Sequence, residues 1–459
     1  MTTTNPATGQ SLHVGMLARV EGEGGMDIRI RDGVVESVAL NIFEPPRFYE
    51  AFLRGRRWTE PPDITARICG ICPVAYQSAA CAALESICGV AVPDHVRLMR
   101  RLLYCGEWIE SHTLHVYLLH APDFLGYDGA IEMAGDHPAV VERALRLKKA
   151  GNDLMALVGG RAVHPVNVKV GGFYRLPTWD EISAFRPTLQ RAFEDALETV
   201  RLVATFDFPD FEQDVDYLAL RSRHGYSIES GDPVTTGGLS FPVADFPRHI
   251  SEHHVAHSNA LHAVLDGKPY LVGPLARYLV AYASGRKDIK EQVDGALKAL
   301  DVPITALFST LGRTAARGLE CQWAAHKMKQ YYDELIANIK AGDLTTANVE
   351  KWEPSTWPTE AKGAGPCEAP RGALAHWIKI KNTRIDLYQC VVPTTWNAGP
   401  RDAKGQIGAY EAALLNTPMA KPEQPVEILR TIHSFDPCLA CATHVMSPEG
   451  EELVAVTVR

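Results

Sequence analysis

No stretch of this chain approaches the roughly 18 consecutive apolar residues of a membrane span, so no spanning helix is expected. The opening MTTTNPATGQSLHVGM is polar and lacks the charged-then-apolar layout of a secretory leader, and a cytoplasmic location is the expectation that follows. A basic tract is missing too. With 46 Lys and Arg against 55 Asp and Glu, the net charge of −9 offers nothing to nucleic acid or an anionic membrane. No strand runs through G-x-G-x-x-G into a helix, which excludes a dinucleotide pocket of the doubly wound kind. Internal repeats and low-complexity tracts are absent.

Cysteine is not scarce, but most of it is unpatterned. Of the ten, Cys81, Cys88, Cys105, Cys321, Cys367 and Cys390 have no paired spacing. Disulfides are rare in a reducing compartment, so these six read as small buried hydrophobes. The other four stand in two Cys-x-x-Cys motifs, Arg67-Ile68-Cys69-Gly70-Ile71-Cys72-Pro73 and Asp436-Pro437-Cys438-Leu439-Ala440-Cys441-Ala442-Thr443-His444. That spacing lets two sulfurs point to one side of a tight turn and grip one metal. Two pairs near opposite ends point to four sulfurs converging on a soft metal where the ends of the fold meet. A structural zinc has the same ligand count, but zinc ribbons draw both pairs from one compact unit. Length alone allows about three average domains. A shared metal instead requires one intertwined body over 1–459, with 1–66 as an N-terminal β-hairpin region.

Residues 26–40 alternate apolar and polar around Asp32-Gly33, a hairpin signal. A short helix is expected over 48–56, and the first cysteine pair then sits at a loop-to-helix junction, where the helix dipole favours thiolate. Apolar periodicity predicts a long helix from Pro93 to about His120, stopped at Pro122, and others over 139–158, 178–203 and 293–341, the last broken at Pro303 and near Gly312. Residues 205–280 read as irregular with short helices, and 343–371 as loop. A second hairpin is expected over 375–392 around Asn382-Thr383, and a short helix over 423–433.

The two cysteine motifs resemble the N- and C-terminal metal-binding signatures of nickel-iron hydrogenase large (catalytic) subunits. Similarity continues through Arg19-Val20-Glu21-Gly22, Glu368-Ala369-Pro370-Arg371-Gly372 and the run from Val392 to Arg401, and so spans essentially the whole chain. The resemblance implies a mainly α fold with small antiparallel β sheets, a helical bundle core and both termini converging on the metal. It places Cys69, Cys72, Cys438 and Cys441 on nickel, with Cys72 and Cys441 also bridging to an iron that carries CO and cyanide. Glu21, alone a solvated turn residue, becomes a proton relay from Cys438. Arg371, alone a surface residue, becomes a canopy over the open metal position, paired with Asp436 and packed beside Pro370. Thr394 would hydrogen-bond a cyanide. Glu50, His444 and the backbone carbonyl near Cys390 would hold Mg2+, though His is an unusual ligand for it.

His112 and His115, one turn apart, read first as satisfied core histidines and second as supports of the cluster. Ser111 stands where some relatives carry aspartate. Tyr76 stands where many carry histidine, which removes a donor beside the metal. That variant is similar to the cytoplasmic NAD(P)-coupled class, implying H2 + NAD(P)+ ⇌ NAD(P)H + H+. The implied partners are a small subunit with iron-sulfur clusters and flavin- and NAD(P)-binding diaphorase subunits. Family precursors carry a tail like residues 445–459 that a maturation endopeptidase removes; a retained terminal strand is the other reading. Two alternatives stay open: a regulatory H2-sensing subunit, and a non-catalytic scaffold of the respiratory complex I kind, whose loss of paired cysteines this chain does not share.

Overall fold

The structure, a computed structural model, describes residues 9–207, 215–222, 225–351, 353–419 and 425–443. His444 and the tail 445–459 lie outside the described residues. The N-terminal sheet runs β1 (Gln10–Val14), β2 (Gly24–Arg31) and β3 (Val34–Ile42), in that order and antiparallel. Asp32 and Gly33 take φ of 52° and 78°, the left-handed pair a tight hairpin turn needs. β1 is an addition to the expected hairpin. Its register sets Leu12 and Val14 opposite Ile28 and Met26, so a polar opening still supplies two apolar cross-strand pairs.

The second sheet orders β4 (Glu360–Ala369), β5 (Gly372–Lys381) and β6 (Arg384–Val391). Its β5–β6 turn is the expected one, with Asn382 and Thr383 at φ 50° and 63°. β4 corrects the loop reading of 343–371. Glycine and proline disguised it, and both have a positional reason. Glu368 N–H points off the free edge, to Ile228 O, and Pro366 two residues earlier faces the same way, so its missing N–H breaks no ladder bond. Gly365 lies against the helix α1 (Pro73–Cys88) so closely that a Cβ would sit 2.0 Å from Ala79 O.

The remaining mass is a bundle of α2 (Asp94–Thr113), α3 (Pro138–Gly159), α4 (Trp179–Val203) and α5 (Thr310–Lys340). α2 and α3 cross at Gly106 and Gly151, where an added Cβ would meet the other helix's backbone oxygen at 2.9 and 2.6 Å. Thr178 and Glu181 form a capping box that starts α4. The helix expected from Pro93 to His120 is α-helical only to Thr113; Leu114–His120 is π-helical and Ala121–Leu125 a further α turn. Pro122 therefore opens a helical turn, where a missing N–H costs nothing, rather than stopping the helix. The 293–341 stretch divides as expected at Pro303, but Gly312 lies in the first turn of α5, its N–H capped by the Ser309 hydroxyl. Within 205–280 two short strand pairs occur, Leu218–Arg221 with Asp232–Thr235 and Ile250–His254 with Leu261–Leu265. Strands of four or five residues are too short to show a period. One large apolar core joins both sheets to the bundle and includes all four motif cysteines. The six unpatterned cysteines are buried, as expected.

Candidate metal centre

The two ends of the chain are sewn together by backbone hydrogen bonds. Glu21 N–H donates to Pro437 O at 3.2 Å and Leu439 N–H to Glu21 O at 2.8 Å, a parallel bridge of Glu21 with Cys438. Gly22, at φ 83°, allows this approach: a Cβ there would stand 2.6 Å from Ala440 N. Arg47 adds a second clamp, its Nη2 donating to Ile68 O at 2.6 Å and Ala440 O at 3.0 Å, one carbonyl from each cysteine motif. Sequence reasoning passed over Arg47, whose only signal was its place after Pro45-Pro46.

Cys72 precedes the first turn of α1, and Cys438 precedes the short helix Leu439–Ala442. All four sulfurs lie within 4.8 Å of one another and are buried. Cys438 and Cys441 sulfurs are 2.9 Å apart, and Cys69 and Cys438 3.6 Å. A soft metal about 2.3 Å from each sulfur fits a group of this span. Charge supports the fit. Hydrogen bonds from Cys438 and then Cys441 pull the Cys69 thiol well below its ordinary value. Cys438 is pushed well up, by Cys441 first. Burial first pushes Cys441 up. Cys72 is drawn down by Cys438 but driven well up by Cys441, Cys69 and burial together. The helix-terminus effect expected to favour thiolate at the first pair is thus outweighed at Cys72 by its neighbours. A cation bound among the four sulfurs would favour the thiolate form of each.

Glu21 Oε2 accepts from the Cys438 thiol at 3.0 Å and from Ala440 N–H at 3.2 Å. Burial, then the Cys69 charge, raises its pKa above the ordinary carboxylate range. Arg371 donates through Nε to Asp436 O at 2.8 Å and through Nη2 to Asp436 Oδ1 at 2.9 Å. Burial disfavours its charge, but Asp436 and then the cysteine thiolates outweigh that and hold it charged. Its Nη1 is buried and has no partner. Thr394 Oγ1 accepts from Cys438 N–H at 3.2 Å, which leaves its own O–H available as a donor. Pro370 is buried and turns its carbonyl to Arg277 at 3.0 Å. A small cavity, with room for little more than one water, opens between Cys72, Cys441, Arg371, Thr394, Leu374 and Tyr76.

Glu50 lines a second small cavity with Arg47 and Thr443, the residue before His444. The sequence expectation named a carbonyl near Cys390; the group set against Glu50 Oε1 is the Cys390 N–H, at 2.7 Å. The structure adds Glu252, which sequence reasoning missed because nothing near it in the chain marks it. Burial first and the Glu252 charge next hold Glu50 well above the usual range, and burial lifts Glu252 to about 8. Gln389 Nε2 donates to one Glu252 oxygen at 2.9 Å, while the other is buried without a partner. Two crowded carboxylates with an unmatched oxygen suit a hard cation.

The histidines of α2 and its extension behave as core groups. His112 Nε2 meets Glu320 at 2.7 Å, and His115 Nε2 donates to His433 O at 2.6 Å. Among the described residues the four cysteines are the only group of three or more such ligand side chains drawn together, and neither histidine joins it. Ser111 is buried with its hydroxyl unpartnered.

A family profile described as nickel-dependent hydrogenase matches residues 47–140 and 251–444. The uptake hydrogenase large subunit of Bradyrhizobium diazoefficiens is 33% identical over 98% of each chain, and the hydrogenase-1 large chain of Escherichia coli K12 is 32% identical over 98% of each. The nickel-iron-selenium hydrogenase of D. vulgaris Hildenborough, solved in its reduced state, superposes with a TM-score of 0.78 at 27% identity, covering 95% of this chain and 100% of that one. With its paired cysteines joined from both ends and its helix-rich fold shared along nearly its whole length, this chain belongs to the nickel-dependent hydrogenase family as a large subunit.

Proposed function

We propose that this chain carries out the reversible heterolytic cleavage of H2 to protons and electrons, with named groups of its own handling the proton. The observation that carries the reading is a half-buried carboxylate, Glu21, in hydrogen-bond contact with a sulfur of the four-cysteine group. A nickel-iron group held by Cys69, Cys72, Cys438 and Cys441 would supply the polarising and electron-accepting chemistry when bound. The chain does the rest. Cys438 sulfur takes the proton and passes it to Glu21, 3.0 Å away. Arg371, fixed by Asp436, keeps a positive charge beside the cysteines and a buried, unpartnered N–H. Donors from Arg371 and Thr394, with apolar walls from Leu374 and Pro393, suit an iron carrying CO and cyanide. Glu50 and Glu252 would hold Mg2+ beside the C-terminal motif, His444 following directly in the chain.

Electrons would leave to a small subunit carrying iron-sulfur clusters. Supporting this, the described residues offer no second ligand group of three or more, and the whole-length relatives are named large subunits or chains. Relatives named uptake hydrogenases favour H2 oxidation as the working direction. NAD(P)+ as acceptor, reached through flavin-carrying diaphorase subunits, rests on the resemblance of the first cysteine motif with Tyr76; the names of the relatives lend it no support. H2-dependent reduction of NAD+ or NADP+ by the native complex decides it.

The test of the core reading is hydrogen-deuterium exchange under D2 by the purified native complex, with nickel and iron analysis and infrared spectra of the CO and cyanide stretching region. Exchange together with both metals and those bands is expected. Zinc alone, with no bands, ends the reading.

A further inference from the structure

The strands Ile250–His254 and Leu261–Leu265 pair antiparallel in a register that sets His253 directly opposite His262. Side chains opposite one another in such a pair share a face of the sheet, their Cβ atoms about 4.5–5.5 Å apart. The two imidazole rings stand 5.9 Å apart between centroids and are tilted by 52°. His262 is 2% exposed, and neither its Nδ1 nor its Nε2 has a hydrogen-bond partner among the described residues. A buried imidazole with both nitrogens unmatched is costly. The ring it faces, His253, is half-buried and gives the pair access to solvent. Burial first, then the charges of His253, His257 and His254, hold His262 down to about 3. The ring is therefore neutral, the form in which imidazole binds a metal.

We infer that His253 and His262 are the protein ligands of a second metal site, one for a borderline divalent ion such as zinc, separate from the four-cysteine group. Two imidazoles on one tetrahedral zinc, each bound at about 2.0–2.1 Å, have ring centres about 5–5.5 Å apart. Closing the observed 5.9 Å takes only a small side-chain rotation. Imidazole nitrogen suits zinc, whereas a hard cation such as Mg2+ prefers oxygen. No third ligand side chain among the described residues is drawn into the group, so water completes the coordination. Alternation along the strand puts Glu252, which precedes His253, on the opposite face, so this ion does not share the carboxylate site of Glu50 and Glu252. It ties the two short strands together and pins the one that carries Glu252. The site stands whether or not the cysteines hold nickel and iron.

The test is equilibrium dialysis of the native complex against Zn2+ alone, after a chelator has removed loosely held metal, with metal analysis of the protein. The wild type is expected to take up one zinc per large subunit saturably, beyond what remains after chelation. A partner that merely orients a metal-binding histidine is worth about 10–100-fold in affinity, so loss of a ligand itself is expected to weaken zinc binding at least about tenfold in both His262→Gln and His253→Gln. His326→Gln, which alters an exposed histidine of α5, is expected to bind zinc as the wild type does. Nickel and iron content is expected to stay the same in all three variants. Undiminished zinc binding in either His253→Gln or His262→Gln overturns the inference and assigns the ion elsewhere, the Glu50 and Glu252 carboxylates included. Equal loss in His326→Gln overturns it as well, since the binding would then belong to surface histidines in general, and so does a wild type without saturable uptake. Should His262→Gln fail to accumulate, His253→Gln, at a half-buried position, decides the matter by itself.

Discussion

Replacing Glu21 by Gln keeps the side-chain volume and removes the proton acceptor 3.0 Å from Cys438 sulfur. Proton transfer by a positioned side chain contributes about 10²–10⁴-fold. Glu21→Gln is therefore expected to slow hydrogen-deuterium exchange by at least about a hundredfold while leaving nickel content and infrared bands in place. Loss of nickel in step with activity would make Glu21 a structural residue instead. The proton role of this residue was open to a sequence reader only through the Arg-x-Glu-Gly resemblance, since a lone Glu beside Gly has no signal of its own. Gly22 shows why the motif is shaped as it is: Ala440 backbone occupies the space a side chain would need. Arg47 and Glu252 had no comparable signal, because each acts on groups far away in the chain.

At the scale of elements, the contact of β4 with α1 is set by glycine. Gly365→Val would drive a branched side chain into Ala79 O and Ala83 N, which stand 2.0 and 2.4 Å from the position of a Cβ. Overpacking of this kind costs about 1–3 kcal/mol or more. Because α1 begins directly after Cys72, the variant is expected to lower both the melting temperature and the nickel content, measured together on purified protein. A variant that melts earlier yet binds full nickel would show that the helix start is anchored by other contacts.

A second element-level group is Arg277, on the helix Pro274–Ala283, which serves two buried carboxylates, Glu320 of α5 and Glu368 of β4. One guanidinium balances one of them. Burial raises Glu320, but Arg277 and His112 outweigh it and hold it down to about 2. Burial lifts Glu368 from 4.5 to about 7, with Arg277 only partly offsetting it. A raised folded-state pKa stabilises fully below 4.5, and that contribution is lost as pH rises through about 7. Urea midpoints of the wild type are thus expected to fall relative to Glu368→Gln between those pH values, and parallel curves would refute the assignment.

For the whole molecule, the metal is a cross-link between two chain ends as well as a reaction centre. A ligand present at about a thousand times its Kd adds about 4 kcal/mol, and in a chain of this size that moves the melting midpoint by about 4 °C. Protein matured without nickel is expected to melt lower by about that much, with loosened amide protection around Glu21 and Leu439, the residues whose backbone bonds sew the ends together. Equal melting of both forms would mean that the polypeptide contacts alone close the site. Along the chain, the sequence by itself determined the features whose cause is local: the Asp32-Gly33 and Asn382-Thr383 turns, the bundle helices, and the ligand chemistry of each cysteine pair, all set within a few residues. The tertiary structure alone decided that β4 is a strand, that the helix after Thr113 widens into a π segment, that Arg47 ties both motifs, and that Tyr76 faces the metal cavity. Those outcomes depend on contacts between residues far apart in the chain, and such contacts leave no period or spacing for a sequence to display.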